Sequence, residues 1–103
     1  MKFKPTSNFN GTSLRGYVEA DYQRLVEVLG EPCYGPDDLT GDKVTCEWSV
    51  EFEDGVVATV YDWKTYTGTP KTKYRWHIGG YTGESACTNM QSLFPDLIVE
   101  SAY

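Results

Sequence analysis

The segment running from Thr45 to Lys64, TCEWSVEFEDGVVATVYDWK, constrains the fold more than any other stretch of the chain. Cys46, Trp48, Val50 and Phe52 alternate with Thr45, Glu47, Ser49 and Glu51, a period of two that sends apolar and polar side chains to opposite faces of a strand. Asp54-Gly55 follows, a pair that tolerates the positive φ angles of a type I′ turn. Val56 to Lys64 then supplies a second strand rich in β-branched and aromatic residues. An antiparallel hairpin is expected. In the second strand Val57, Thr59, Tyr61 and Trp63 fall on one side and Val56, Ala58, Val60 and Asp62 on the other. Both sides are substantially apolar, so one sheet face needs cover from a partner, from a second copy, or from the chain's own arm and loops.

Further elements follow from periodicity. Tyr74, Trp76 and Ile78 alternate with Arg75 and His77, which predicts a third strand ended by Gly79-Gly80. Val18, Tyr22, Leu25, Val26 and Leu29 gather on one side of a helix spanning 17–29, closed by Gly30 and stopped by Pro32. A second helix is expected from near Thr82 or Gly83 to Phe94, with Ala86, Met90, Leu93 and Phe94 as its apolar stripe and Pro95 behind it. Leu97 to Tyr103 reads as a short strand, although its apolar pattern is ambiguous. The turn-rich opening, residues 1–16, reads as an arm or loop, and Glu31 to Asp42 as a connector. The expected architecture is an α+β fold over 17–103: a small antiparallel sheet of three or four strands, in the order α-β-β-β-α, with both helices on one face.

The 103 residues suit one domain, and 40% hydrophobic with 15% aromatic content suffices for a core. Fifteen acids against nine Lys and Arg leave a formal charge of −6, which disfavours general nucleic-acid binding and attraction to an anionic membrane. Cys33, Cys46 and Cys87 cannot all pair within one chain and lack the spacings of a zinc or redox site, so a reducing compartment is expected. The opening residues contain no apolar signal-peptide core, and no window reaches the length of a membrane span.

Candidate chemistry is sparse. Arg75, His77, Gly79, Gly80, Tyr81, Thr82 and Ser85 lie on a strand leading through glycines toward a helix, where backbone N–H groups and hydroxyls can meet an anion such as a nucleotide phosphate. The run lacks the spacing of a dinucleotide or phosphate loop, and a structural turn is the plainer reading. His77 is the single histidine, and no motif places Cys87, Ser85 or Asp62 beside it, so no catalytic residue is assigned. Asp37, Asp38 and Asp42, and separately Glu51, Glu53 and Asp54, are acidic turns without the spacing of a calcium loop; no metal or cofactor is expected. Trp48, Tyr61, Trp63, Tyr66 and Trp76 are the candidate protein-interaction residues, because aromatic side chains on adjacent strands make good contact anchors.

The stretches GTSLRGY at 11–17, LVEVLGEP at 25–32, WSVEFEDGVVATVYDWK at 48–64 and WHIGG at 76–80 resemble a family of small bacteriophage-encoded accessory proteins. The resemblance implies expression in the cytoplasm of an infected bacterium. It fits a non-enzymatic protein that binds a host protein and thereby inhibits or adapts it, in host takeover or in countering defence. The alternative is a protein that binds or sequesters a small nucleotide, either at the glycine turn or at a subunit interface, and a third reading is a virion accessory. A homodimer through the sheet face or an edge strand is the expected assembly.

Overall fold

The computed structural model describes residues 2–6, 11–32, 46–63, 73–81 and 85–102. Their order is β1 (Phe3–Pro5), β2 (Ser13–Ala20), α1 (Tyr22–Leu29), β3 (Glu47–Phe52), β4 (Val57–Tyr61), β5 (Tyr74–Gly80), α2 (Ser85–Leu93) and β6 (Val99–Ser101). The strands form one antiparallel sheet in the order β1-β3-β4-β5-β2-β6, with the helices packed to give an α+β fold. The sheet thus has six strands rather than three or four, and the added ones come mostly from the N-terminal region.

That region corrects the arm expected over 1–16. β1 pairs with β3, Lys4 standing opposite Glu51, and the carbonyl of Lys2 accepts from the N–H of Glu53 at 3.0 Å. Pro5 and Lys4 occupy this edge strand, residue types that discourage further strand addition. The 16/17 boundary falls inside β2, so the expected helix over 17–29 starts too early. Tyr17, Val18, Glu19 and Ala20 pair in register with His77, Trp76, Arg75 and Tyr74. The helix begins only after Asp21, whose backbone is extended and whose carboxylate accepts from the N–H of Arg24 at 2.8 Å. Its other end is as expected: Gly30 adopts φ +85° and donates to the carbonyl of Val26 at 2.9 Å.

The hairpin forms with a longer loop than the two-residue turn expected. The Phe52 carbonyl accepts from Gly55 at 2.9 Å, the Phe52 N–H donates to Val56 at 2.8 Å, and Gly55 has φ +87°. Glu53, Asp54 and Gly55 therefore make a three-residue connection in which glycine takes the left-handed position. Asn89 of α2 donates to both carboxylate oxygens of Asp54, at 3.1 and 3.0 Å, tying the loop to the helix layer. These bonds, together with the N–H of Val56, hold the Asp54 carboxyl below its ordinary pKa.

Helices and sheet enclose a core of Val18, Leu25, Leu29, Trp48, Val50, Phe52, Val60, Trp76, Ile78, Met90 and Phe94. Trp48 and Trp76 meet edge to face at 5.6 Å in its centre. Each indole N–H finds a backbone carbonyl: Trp48 donates to Gly30 at 2.7 Å and Trp76 to Ala20 at 3.0 Å. α2 comes close to β2 because Gly16 lacks a side chain; a Cβ there would run into the Glu100 carbonyl and the Cys87 thiol. A register shift between Leu14 and Gly16 re-aims Arg15, whose Nε and Nη2 donate to the carbonyls of Gly80 and Tyr81 at 3.1 and 2.7 Å.

Candidate functional site

The face of the sheet turned away from the core carries an aromatic cluster that alternation along β2, β4 and β5 assembles. One cross-strand row reads Glu100, Tyr17, His77, Tyr61, Glu47, through the registers β6-β2-β5-β4-β3. Trp63 follows Tyr61 by two residues and joins the same side. Its ring lies nearly parallel to His77, with centroids 6.0 Å apart and planes at 24°. Tyr17 approaches His77 edge-on at 5.1 Å, Tyr61 approaches it at 5.3 Å, and Tyr61 contacts Trp63 at 6.3 Å. The Arg75 guanidinium carbon sits 3.8 Å from the centroid of Tyr17 while Nη2 pairs with Glu100 at 2.7 Å.

The cluster's electrostatics follow from partial burial and its charged margin. Burial, and then the neighbouring Arg75 charge, push the His77 pKa below the ordinary histidine value of 6.5, against an opposing pull from Asp62. Burial raises the Tyr61 hydroxyl, with Glu47 and Tyr17 adding to the effect. Lys73 pairs with Glu19 at 2.8 Å beside the cluster. The inner part of this face is closed, for Ser49 and Thr59, opposite one another on β3 and β4, are each 1% exposed.

The structure separates the residues expected to act together. Arg75 and His77 belong to the aromatic cluster, not to the glycine turn at the other end of β5. Gly79 lies on the cluster's face beneath the Thr59 side chain, whereas Gly80 faces Ala86 of α2. The Gly80 and Tyr81 carbonyls are held by Arg15, Ser85 opens α2, and Thr82 lies outside the described residues. Among the expected protein-contact residues, Tyr61 and Trp63 stand on the face opposite α1 and α2, Trp63 being 40% exposed. Trp48 and Trp76 do not. At 2% and 0% exposure they are core residues, because their side of β3 and β5 is the one the helices cover. Tyr66 lies outside the described residues, as do Cys33, Asp37, Asp38 and Asp42.

Tyr17 is the member of the cluster that the helical reading of 17–29 concealed. The signal that finds it is Asp21, a residue suited to capping a helix that starts just after it, which frees Tyr17 to Ala20 to alternate as a strand. Cys87 and Asp62 lie away from His77's aromatic side: Cys87 is buried on α2, and Asp62, 0% exposed, accepts from the Cys46 N–H at 3.1 Å. Among the described residues no three His, Cys, Asp or Glu side chains are grouped to hold a metal ion, and no helix is long and apolar enough to cross a membrane. A depression of about 360 Å³ is lined by Glu19, Asp21, Arg24, Glu27 and Lys73, with Lys73 paired to Glu19 and Arg24 to Asp96 at 2.7 Å. It is a salt-bridged surface with both signs of charge. No family model, curated protein or solved structure matches the chain.

Proposed function

We propose that this chain is a non-enzymatic binding protein whose sheet face opposite α1 and α2 docks a protein partner at its partly exposed aromatic cluster. The observation that carries the reading is the half-exposed cluster of Tyr17, Tyr61, Trp63 and His77. Aromatic side chains fixed against one another lose little entropy on contact and supply large apolar area, the usual make-up of a contact anchor. The polar margin of Glu19, Glu47, Arg75 and Glu100 suits a rim that sets orientation. The phage resemblance supports a host protein as the partner, with inhibition or adaptation of that host protein as the outcome. A nucleotide at the glycine turn has less support, since Arg75 and His77 lie at the other end of β5.

The test places a photo-crosslinking side chain at Tyr61 in otherwise native protein and exposes it to host lysate. The expected result is one saturable crosslinked protein, lost in Trp63→Ala and retained in Ser85→Ala, a change on the helix side. Crosslinking that is unsaturable or indifferent to Trp63→Ala overturns the reading. A self-crosslink accompanied by a mass near twice 11.6 kDa in light scattering replaces the host partner with a homodimer.

A further inference from the structure

The hairpin loop, residues 53–55, carries a reactive pair that the binding face does not use. Asp54-Gly55 is the only Asp-Gly pair in the sequence, and both residues are exposed. An aspartyl carboxyl condenses readily with the amide nitrogen of a following glycine, because glycine has no side chain to block the approach. The Gly55 nitrogen attacks Cγ of Asp54 and loses its proton, and a carboxyl oxygen leaves as water, closing a cyclic imide. Water then adds at either carbonyl carbon of that ring. Opening at the side-chain carbon restores aspartate. Opening at the main-chain carbon leaves Gly55 joined through Cγ, an isoaspartyl link that lengthens the backbone by one carbon with no change of mass.

The fold holds both reacting groups away from this step. Asn89 Nδ2 donates to the two carboxylate oxygens of Asp54 at 3.1 and 3.0 Å, and Oδ1 also accepts from the N–H of Val56 at 3.1 Å. The nucleophile is tied separately, since the Gly55 N–H donates to the Phe52 carbonyl at 2.9 Å. Hydrogen bonds to an ionised acceptor are the stronger class, and these keep the carboxyl below its ordinary pKa, in the ionised form that has no hydroxyl to lose as water. Val56 and Phe52 belong to the hairpin and stay with it. Asn89 is different: it is 5% exposed on α2, 35 residues along the chain, and it reaches the loop only while α2 is docked on the sheet.

We infer that Asp54-Gly55 is a latent isomerisation site and that Asn89 is the latch that keeps it closed while α2 is docked. The reaction proceeds from the fraction of molecules in which the loop is released, so isoaspartate at residue 54 records the undocking of α2. The added backbone carbon lengthens a three-residue connection whose length sets the hairpin geometry, and it moves the carboxylate off Asn89. A modified loop therefore no longer fits the latch.

The experiment ages the native protein, Asn89→Ala, Asn89→Asp and a peptide of residues 50–58 side by side at neutral pH. Isoaspartate at residue 54 is measured by peptide mapping with a protease that cuts before aspartate and not before isoaspartate. The indole resonances of the buried Trp48 and Trp76 report which variants keep the fold. The native chain is expected to react at least about tenfold more slowly than the peptide, and each folded variant about three- to tenfold faster than the native chain. Asn89→Asp keeps the volume of asparagine and loses the donor, so it serves where Asn89→Ala does not fold. Ageing the native chain in urea below its unfolding transition needs neither variant: a rate that climbs while the indole signals stay native supports the latch. A native rate equal to the peptide's, folded variants that keep the native rate, or a rate that stays flat in urea overturns it.

Discussion

The two faces of this sheet are built from the same strands and both carry packed aromatic rings, yet one is covered and the other is partly exposed. On the covered face Trp48 and Trp76 sit edge to face, donate their indole N–H groups to backbone carbonyls and are closed over by both helices. On the other face Trp63, Tyr61 and Tyr17 surround His77 and stop at partial burial. The difference teaches that aromatic content does not distinguish a covered core face from a partly exposed one. Satisfied polar atoms and an overlying layer do.

The sharpest way to break this comparison is to truncate one tryptophan from each face. Trp76→Ala removes a fully buried indole and leaves the Ala20 carbonyl without its donor, and urea unfolding is expected to show a loss of about 3–5 kcal/mol. Gly16→Ala attacks the same layer from the sheet side. Its Cβ meets the Glu100 carbonyl and the Cys87 thiol, so a loss of about 1–3 kcal/mol is expected, and Cys87→Ala in the same chain should recover part of it. Trp63→Ala should cost about 1 kcal/mol or less, because the ring is 40% exposed and packs on the partly exposed rings of Tyr61 and His77. A loss as large as that of Trp76→Ala would make the two faces equivalent and defeat the distinction.

The smallest expected effect is a pH dependence confined to the open face. The folded pKa of His77 lies below its ordinary 6.5, so between those two values the unfolded chain binds more protons than the folded one. The stability His77 contributes is therefore complete above pH 6.5 and declines as pH falls through 6.5 toward the folded value. Thermal unfolding at pH 7.5 and 5.5 should show a smaller drop for His77→Gln than for the native chain. An identical drop would mean that the imidazole is solvated like a free histidine.

Much of the fold was legible from local pattern. The hairpin, the alternation of β5, the Gly30 stop and the stripe of Ala86, Met90 and Phe94 all stand where periodicity and capping chemistry put them. The N-terminal region was misread because Val18, Tyr22, Leu25 and Leu29 fit a helical stripe, even though Val18 belongs to a strand. Asp21 marks where one period ends and the other begins, and seven register pairs with β5 override the helical preference. β1 was illegible for a different reason. Three residues are too few to show alternation, and Phe3–Pro5 is a strand only because the outer edge of β3 receives it.

The candidate site divides along the same line. By itself, the sequence determined that Tyr61 and Trp63 share a side, that Arg75 and His77 share a side, and that Trp76 opposes His77, because side chains in a strand alternate. Only the tertiary structure decided which sides face the helices, and that assignment sent Trp48 and Trp76 inward and brought Tyr17, His77, Tyr61 and Trp63 together. Periodicity is a property of one segment, and it relates a residue to its neighbours along the chain. A sheet face is made by register between segments far apart in sequence, and the side that becomes core is chosen by where α1 and α2 can bury their own apolar stripes.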